Sequence, residues 1–428
     1  MKRTLPAVLL TATLALAAGC DGSGGGDASQ ANAASGPITI WLSNNSEELA
    51  WGKAMVESWN AAHADQKITA QEIPAGKSSE EVIGAAITAG NAPCLIFNTA
   101  PAAIPQFQKQ GGLVALDEFD GAAQYITDRT GDTAEQYKSP DGKFYQMPWK
   151  SNPVMIFYNK DIFAKAGLDP EKPALSTYDE FLTAARKIKS SGAAPAAIYP
   201  APSSEFFQSW FDFYPLFAAE TDGKQLVADK KAQFNSPEGQ KVADFWKTIY
   251  AEGLAPKELY NGDSFADKKA AMAIVGPWAV AVYGDKVKWG AVPVPTSTGK
   301  PAEQVKTFSD AKNVAMYSAC QNRATAWEVI KFATSQEQDG KLLDATGQMP
   351  LRKDLQTAYP DYFTQNPAYK QFADQAARTV EVPNVPNSVA IWQAFRDAYS
   401  ESVIFGKQPV ADAFSGAATK VDELASGS

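Results

Sequence analysis

The hydrophobic pattern of this chain switches repeatedly between two periods. Pro37-Ile38-Thr39-Ile40-Trp41-Leu42 is a short run of strand character. Over residues 47–62 the apolar side chains Leu49, Met55, Val56 and Trp59 recur at helical spacing. Residues 67–73 alternate as a second strand, and Leu95-Ile96-Phe97 is a third, buried one. A helix over 79–89, capped by Ser78 or Ser79, lies between them. Another is predicted over 102–110 and stops at Gly111-Gly112. Strands and helices alternating at this spacing predict an α/β unit with a largely parallel sheet. Further on, Val154-Met155-Ile156-Phe157-Tyr158 is a fourth apolar run. Residues 176–190 form an amphipathic helix with Ser176 or Thr177 as its cap, Glu180 in its first turn, and Phe181, Leu182 and Ile188 facing inward. Helices are also predicted over 238–250, 325–335, 392–403 and 410–424. The apolar stretch at 270–283 is broken by Gly276-Pro277 and reads as buried core.

Residues 1–19 follow a different logic. Lys2 and Arg3 precede a short apolar stretch, which ends in Ala17-Ala18-Gly19-Cys20. The stretch falls short of the roughly 20 residues a spanning helix needs. It reads as a lipoprotein signal, cut before Cys20, whose thiol is then lipidated. A plain signal peptide cut near Ala18 is the other reading. Either places the mature chain outside the cytoplasm, and the first anchors it to the outer face of the membrane. From Asp21 to Pro37 nothing large and apolar occurs, so residues 20–37 are expected to be a flexible tether.

About 390 residues follow the tether, too many for one ordinary core, so two lobes are expected. The net charge is −9 with no basic stripe, which argues against nucleic acid as a partner. The single histidine, His63, sits at a predicted helix end as a surface residue. One histidine rules out a two-histidine zinc helix and disfavours a Ser–His–Asp triad. Gly76-Lys77-Ser78 lacks the upstream glycine of a phosphate loop, since Gln71 stands there. The acidic cluster Asp117, Glu118 and Asp120 reads as a solvated loop. No cofactor or metal is called for. Cys94 and Cys320 are, at this level, either a disulfide or two buried thiols.

The succession ITIW, APCLIF, FYQMPW, YNKDIFAKAGL, TYDEFLTAARKI, AMAIVGPW, KWGAVPVP, AWEVIKFATS, ATGQMPLRKDL and PNVPNSVAIW resembles the extracytoplasmic sugar-binding proteins of ABC importers. The likeness is to their maltose/maltodextrin-binding group and runs over residues 38–426. It implies a two-lobed periplasmic-binding-protein-like fold of type II. Lobe one would comprise 38–150 and 310–354, and lobe two 151–309 and 355–428. The hinge would be crossed several times, first near Lys150 to Pro153 and again just before Asn313. The implied function is capture of a di- or oligosaccharide in the interlobe cleft and delivery to a membrane permease by hinge closure. The chain would act as a monomer and perform no covalent chemistry. In such a fold the strand entered at Cys94 runs antiparallel to the strand ending near Ser318, so the resemblance pairs Cys94 with Cys320.

A sugar ring needs aromatic platforms for its C–H face and planar polar groups for its hydroxyls. The chain holds 10 Trp, 15 Tyr and 22 Phe, most of them core. Trp41, Trp246, Trp289 and Trp327 lie inside strand or helix patterns and are expected in the core. By resemblance, Trp392 and Trp278 match sugar-stacking tryptophans. Phe211 falls where a tyrosine platform lies, with its neighbour Trp210 as the alternative. Arg396 stands one turn past Trp392. On lobe one the maltose pattern is rewritten. Asn45 and Ser46, with Glu47 beside them, replace an Asp–Lys pair, and Asn98 replaces an aromatic platform. Pro101 and Ala102 replace a charged pair, and Asn152 replaces a Glu. Trp149 and Gln348 complete the expected sugar-binding set. These departures imply a sugar that differs from maltose in linkage or length. A polyol or glycerophosphodiester on the same fold is the alternative ligand, and a surface glycosidase the least favoured reading.

Overall fold

The computed structural model describes residues 26–43, 45–75, 78–202 and 211–427. Two separate sheets organise them. The first is built as the apolar runs predict. Strand Ile38–Leu42 pairs in parallel with Ile68–Glu72 on one side and Leu95–Thr99 on the other. Helices Ser46–Ala62 and Ser79–Thr88 make the connections, as parallel strands require. Lys312–Met316 then returns from far along the chain, antiparallel to both Leu95–Thr99 and Met147–Lys150. The second sheet has Met155–Asn159 between Trp289–Val292 and Ala270–Val275, antiparallel to both. Ala196–Ile198 lies parallel to Ala270–Val275 at the edge.

The fold is therefore α/β and two-lobed, with a core for each sheet. Trp51, Phe97, Trp149 and Trp327 pack together around the first, and Phe181, Phe213, Trp246 and Phe395 around the second. Trp41 and Trp246 are buried, and Trp289 is half-buried against Phe157. The chain passes between the sheets at Ser151–Val154 and again at Ser309–Ala311. It passes once more between Leu351, which packs in the first core, and Leu355, which packs in the second. These passages are laced to one another. Ser151 and Ser309 hydroxyls meet at 2.6 Å, and the Ser151 amide donates to Met349 O. Buried Arg129 donates to the carbonyls of Pro148, Trp149 and Leu351 while pairing with Asp339.

Local signals were accurate where a cap or a breaker was present. Helix Tyr178–Ser191 opens with Thr177 in a reciprocal capping box with Glu180 and closes at Gly192 in the left-handed region. His63 caps the end of Ser46–Ala62 and stacks on Trp59, ring centroids 3.8 Å apart. The predicted helix over 102–110 is a 3₁₀ turn, Pro101–Ala103, followed by Ile104–Lys109. Cys94 and Cys320 are bonded, with Cα atoms 4.4 Å apart. Among the described residues no helix is long and apolar enough to cross a membrane.

One expectation needs correction. The tether predicted as coil over 20–37 is helical at Gly26–Ala33. Arg323 Nη1 donates to Asn32 Oδ1 and the Asn32 amide donates to Glu118. The Gly36 amide donates to Thr325 Oγ1. Polar contacts and one small buried side chain, Ala31, hold this segment on the first lobe, and a search for large apolar residues does not detect such docking. Cys20 lies outside the described residues.

Candidate functional site

Ligands of open α/β sheets bind beyond the carboxyl ends of the parallel strands. In the second lobe those ends are Ile198 and Val275. A cavity of about 320 Å³ opens there, lined by Ile198–Ala201, Phe211, Asp212, Gly262–Phe265, Ala273–Val275, Trp278 and Tyr283. Its size is at the small end of the range of ligand sites, about 300–1,000 Å³. Trp278 is positioned by its neighbours. A Cβ on Gly276 would lie 2.1 Å from the indole ring, so only glycine lets the ring fold back over the strand end. Phe211 meets Trp278 edge to face, centroids 6.0 Å apart at 75°, and also meets Phe308 at the second passage, 5.7 Å apart. Both rings are half-buried. Tyr199 stands at the rim against Tyr260, 5.6 Å away.

A larger cavity, about 800 Å³, flanks the third passage and includes Thr130–Thr133, Pro350–Thr357 and Ala373–Arg378. Its lining has charges of both signs and no aromatic ring. Volume and chemistry therefore disagree about the site. The smaller cavity is preferred, because of the two it alone is lined by aromatic rings that can face an apolar ring face.

Of the residues singled out in the sequence, Trp278 and Phe211 share this cavity, and Trp210 lies outside the described residues. Trp392 is 1 % exposed and packs on Phe395 at 5.2 Å. It lies beside Ala102 of the first lobe, whose carbonyl accepts from Ser388 Oγ. Arg396 is fully buried behind the cavity floor. Its Nη1 reaches Asp212 Oδ2 at 2.6 Å and its Nη2 donates to Ala201 O. Asn45 is the N-cap of Ser46–Ala62, accepting from the Glu47 and Glu48 amides, and Ser46 and Glu47 are exposed in that first turn. Asn98 is half-exposed at φ +66°, where the pairing of Leu95–Thr99 with Lys312–Met316 slips register. Such irregularities re-aim a side chain at the rim of a sheet.

Asn152 and Gln348 lie in the hinge, in a network the sequence did not reveal, while Trp149 packs beside it on Trp51 with the Lys150 ammonium 4.8 Å from its ring. Buried Lys150 pairs with Glu48 and donates to Gln348 Oε1 at 2.8 Å. Gln348 Nε2 donates to the same Glu48 oxygen at 2.6 Å, and Asn152 donates to Gln348 at 3.0 Å. Burial alone would push the Glu48 carboxyl up, and Lys150, with hydrogen bonds from Gln348 and Ser43, more than offsets this, holding it below its usual range. Glu48 escaped notice because its neighbour Glu47 has the same chemistry, while one step along a helix turns a side chain to another face. Asp212 was missed because aromatic residues surround it, leaving no charged pattern.

The model of bacterial extracellular solute-binding proteins matches residues 54–371. The chain belongs to that family. A relative similar along almost its whole length is the diacetylchitobiose binding protein DasA of Streptomyces coelicolor, 26 % identical, with 96 % of each chain covered. The sn-glycerol-3-phosphate-binding protein UgpB of Brucella abortus is 49 % identical, but over only 26 % of this chain and 27 % of its own. Among solved structures, the cyclic alpha-maltosyl-1,6-maltose binding protein of Arthrobacter globiformis superposes with a TM-score of 0.77 at 23 % identity, covering 92 % of this chain and all of that one.

For this solute-binding protein a second interlobe contact has a pH signature. Glu381 is 3 % exposed and accepts from Tyr137 Oη of the first lobe at 3.2 Å and from the Val382 amide at 2.7 Å. The nearby ammonium of Lys312 is held by Asp310 at 2.8 Å. Burial pushes Glu381 from its ordinary 4.5 up to about 8. Between those values the folded chain keeps a proton that the unfolded chain releases. The stabilisation from this group is thus complete below about 4.5 and is lost as pH rises to about 8. Glu381→Gln should flatten that part of the stability profile, by a few kcal/mol at most. Denaturant unfolding at several pH values checks this, and an unchanged slope contradicts it.

Proposed function

We propose that this protein binds a di- or oligosaccharide between its lobes and passes it to the permease of an ABC importer when the hinge closes. The observation that carries the reading is the pair of half-buried rings, Phe211 and Trp278, in a cavity at the carboxyl ends of the second lobe's parallel strands. The sugar's C–H face stacks on this floor, and polar groups of the first lobe, with Asn98 foremost, complete its contacts. Closure is driven by the tighter binding of the closed form. No covalent step is involved. The names of DasA and the Arthrobacter protein support a sugar ligand. The chain is further proposed to be a monomer, held on the outer membrane face by lipid on Cys20. Lobe one comprises 38–150 and 310–354, and lobe two 151–309 and 355–428.

The partial likeness to UgpB favours a phosphate-bearing solute as the second reading. Against it, the described lining residues include no Lys, Arg or His, and Arg396 behind the floor and Lys150 in the hinge are already neutralised, by Asp212 and Glu48. A panel of mono- to tetrasaccharides, polyols and glycerophosphodiesters, followed by thermal unfolding, separates the readings. A ligand at 100 times its Kd adds about 2.7 kcal/mol. A shift with an oligosaccharide alone is expected, and a shift with the phosphodiester alone reverses the assignment. With that sugar in hand, Trp278→Ala should weaken binding by about 2 kcal/mol, roughly thirtyfold in Kd, as read by calorimetry. A change within threefold would remove Trp278 from the floor.

A further inference from the structure

We infer that the floor cavity sorts sugars by charge and that its preferred ligand carries a protonated amine. The inference rests on the reading of this cavity as a sugar site. Among its described lining residues there is no Lys, Arg or His, while two carboxylates, Asp212 and Asp263, are present. Arg396 reaches the lining from behind, fully buried and bound to Asp212 at 2.6 Å. Its charge is balanced before any ligand arrives.

Asp263 is differently placed. Its Oδ1 accepts from the amides of Phe265 and Ala266, each at 3.0 Å. That fixes the carboxylate at the exposed rim of the cavity, where no salt bridge to a cation of the described chain balances it. Five aromatic residues also line it, Tyr199, Phe211, Phe265, Trp278 and Tyr283, among small and aliphatic ones. Ring faces carry negative quadrupole potential and attract ammonium groups. An amine on a sugar resting over Trp278 therefore gains from the ring and from Asp263 together. A uronate or phosphate gains from neither and meets uncompensated negative charge in a partly desolvated pocket.

The test uses matched trios of disaccharides: a neutral sugar, its 2-amino-2-deoxy counterpart and its uronic acid counterpart, in α-1,4 and β-1,4 linkage. Calorimetry on the purified protein at pH 6 keeps the amines protonated. In whichever linkage binds, the amino sugar is expected to bind about tenfold tighter than the neutral one, and the uronate at least tenfold weaker. Asp263→Asn keeps the acceptor for the Phe265 and Ala266 amides, so a general loss of folding is avoided. It should shrink the amino-to-neutral ratio to threefold or less. Equal affinities across a trio, or a ratio unmoved by Asp263→Asn, would overturn the charge sorting while leaving sugar binding intact. Failure of every trio and of every other sugar tried would instead overturn the sugar reading itself.

Discussion

Replacing Arg396 by Leu should cost about 3–5 kcal/mol of stability. The guanidinium is fully buried and contacts the Asp212 carboxylate at 2.6 Å, the Ala201 carbonyl, and the Tyr399 ring face at 4.6 Å from its centroid. Without it, Asp212 keeps the Phe213 amide as a donor, too little to compensate a charge buried beside Tyr250 and Tyr399. The carboxylate is then left as an unpaired buried ion, and that is the source of the loss. Removing both charges, with Asp212→Asn added, should restore part of the loss, because no unpaired ion is left. Denaturant unfolding of the single and double variants beside the parent checks this. A single variant as stable as the parent would mean that the pair does not hold the cavity floor.

The second large effect concerns Cys94–Cys320. The bond joins residues 226 apart in sequence. The chain-entropy relation gives about 5 kcal/mol as its upper contribution. Cys94 leads into Leu95–Thr99, and its carbonyl accepts from the Tyr317 amide at the end of Lys312–Met316. The disulfide thus closes the start of one strand on the end of its antiparallel neighbour, inside one sheet. The Cys94→Ser/Cys320→Ser variant should unfold at markedly lower denaturant and bind sugar with unchanged Kd. A weakened Kd with unchanged stability would indicate instead that the bond shapes the cleft.

How legible these features were depended on whether they are local. Thr177 and Glu180 are three residues apart, so their capping box was visible as spacing alone. The apolar runs at the first strand and at Leu95-Ile96-Phe97 were equally plain, since burial on both faces imposes near-continuous apolar runs, and residues 67–73 were visible as alternation. Trp278 was legible through Gly276 and Pro277 beside it. Arg396 was not, although its position on the helix was correctly read, because the partner that turns it away from the cleft, Asp212, lies 184 residues earlier. The Glu48–Lys150–Gln348 network was hidden for the same reason, its members being 102 and 198 residues apart. Helix Gly26–Ala33 escaped because its docking is polar and no periodicity marks it.

The most direct measurement is a crystal structure with the oligosaccharide selected by the unfolding panel. A sugar ring is expected stacked on Trp278 and Phe211 in the floor cavity, with Asn98 of the first lobe turned toward its hydroxyls. Sugar seated instead in the larger cavity along Pro350–Thr357, with Trp278 untouched, would contradict it.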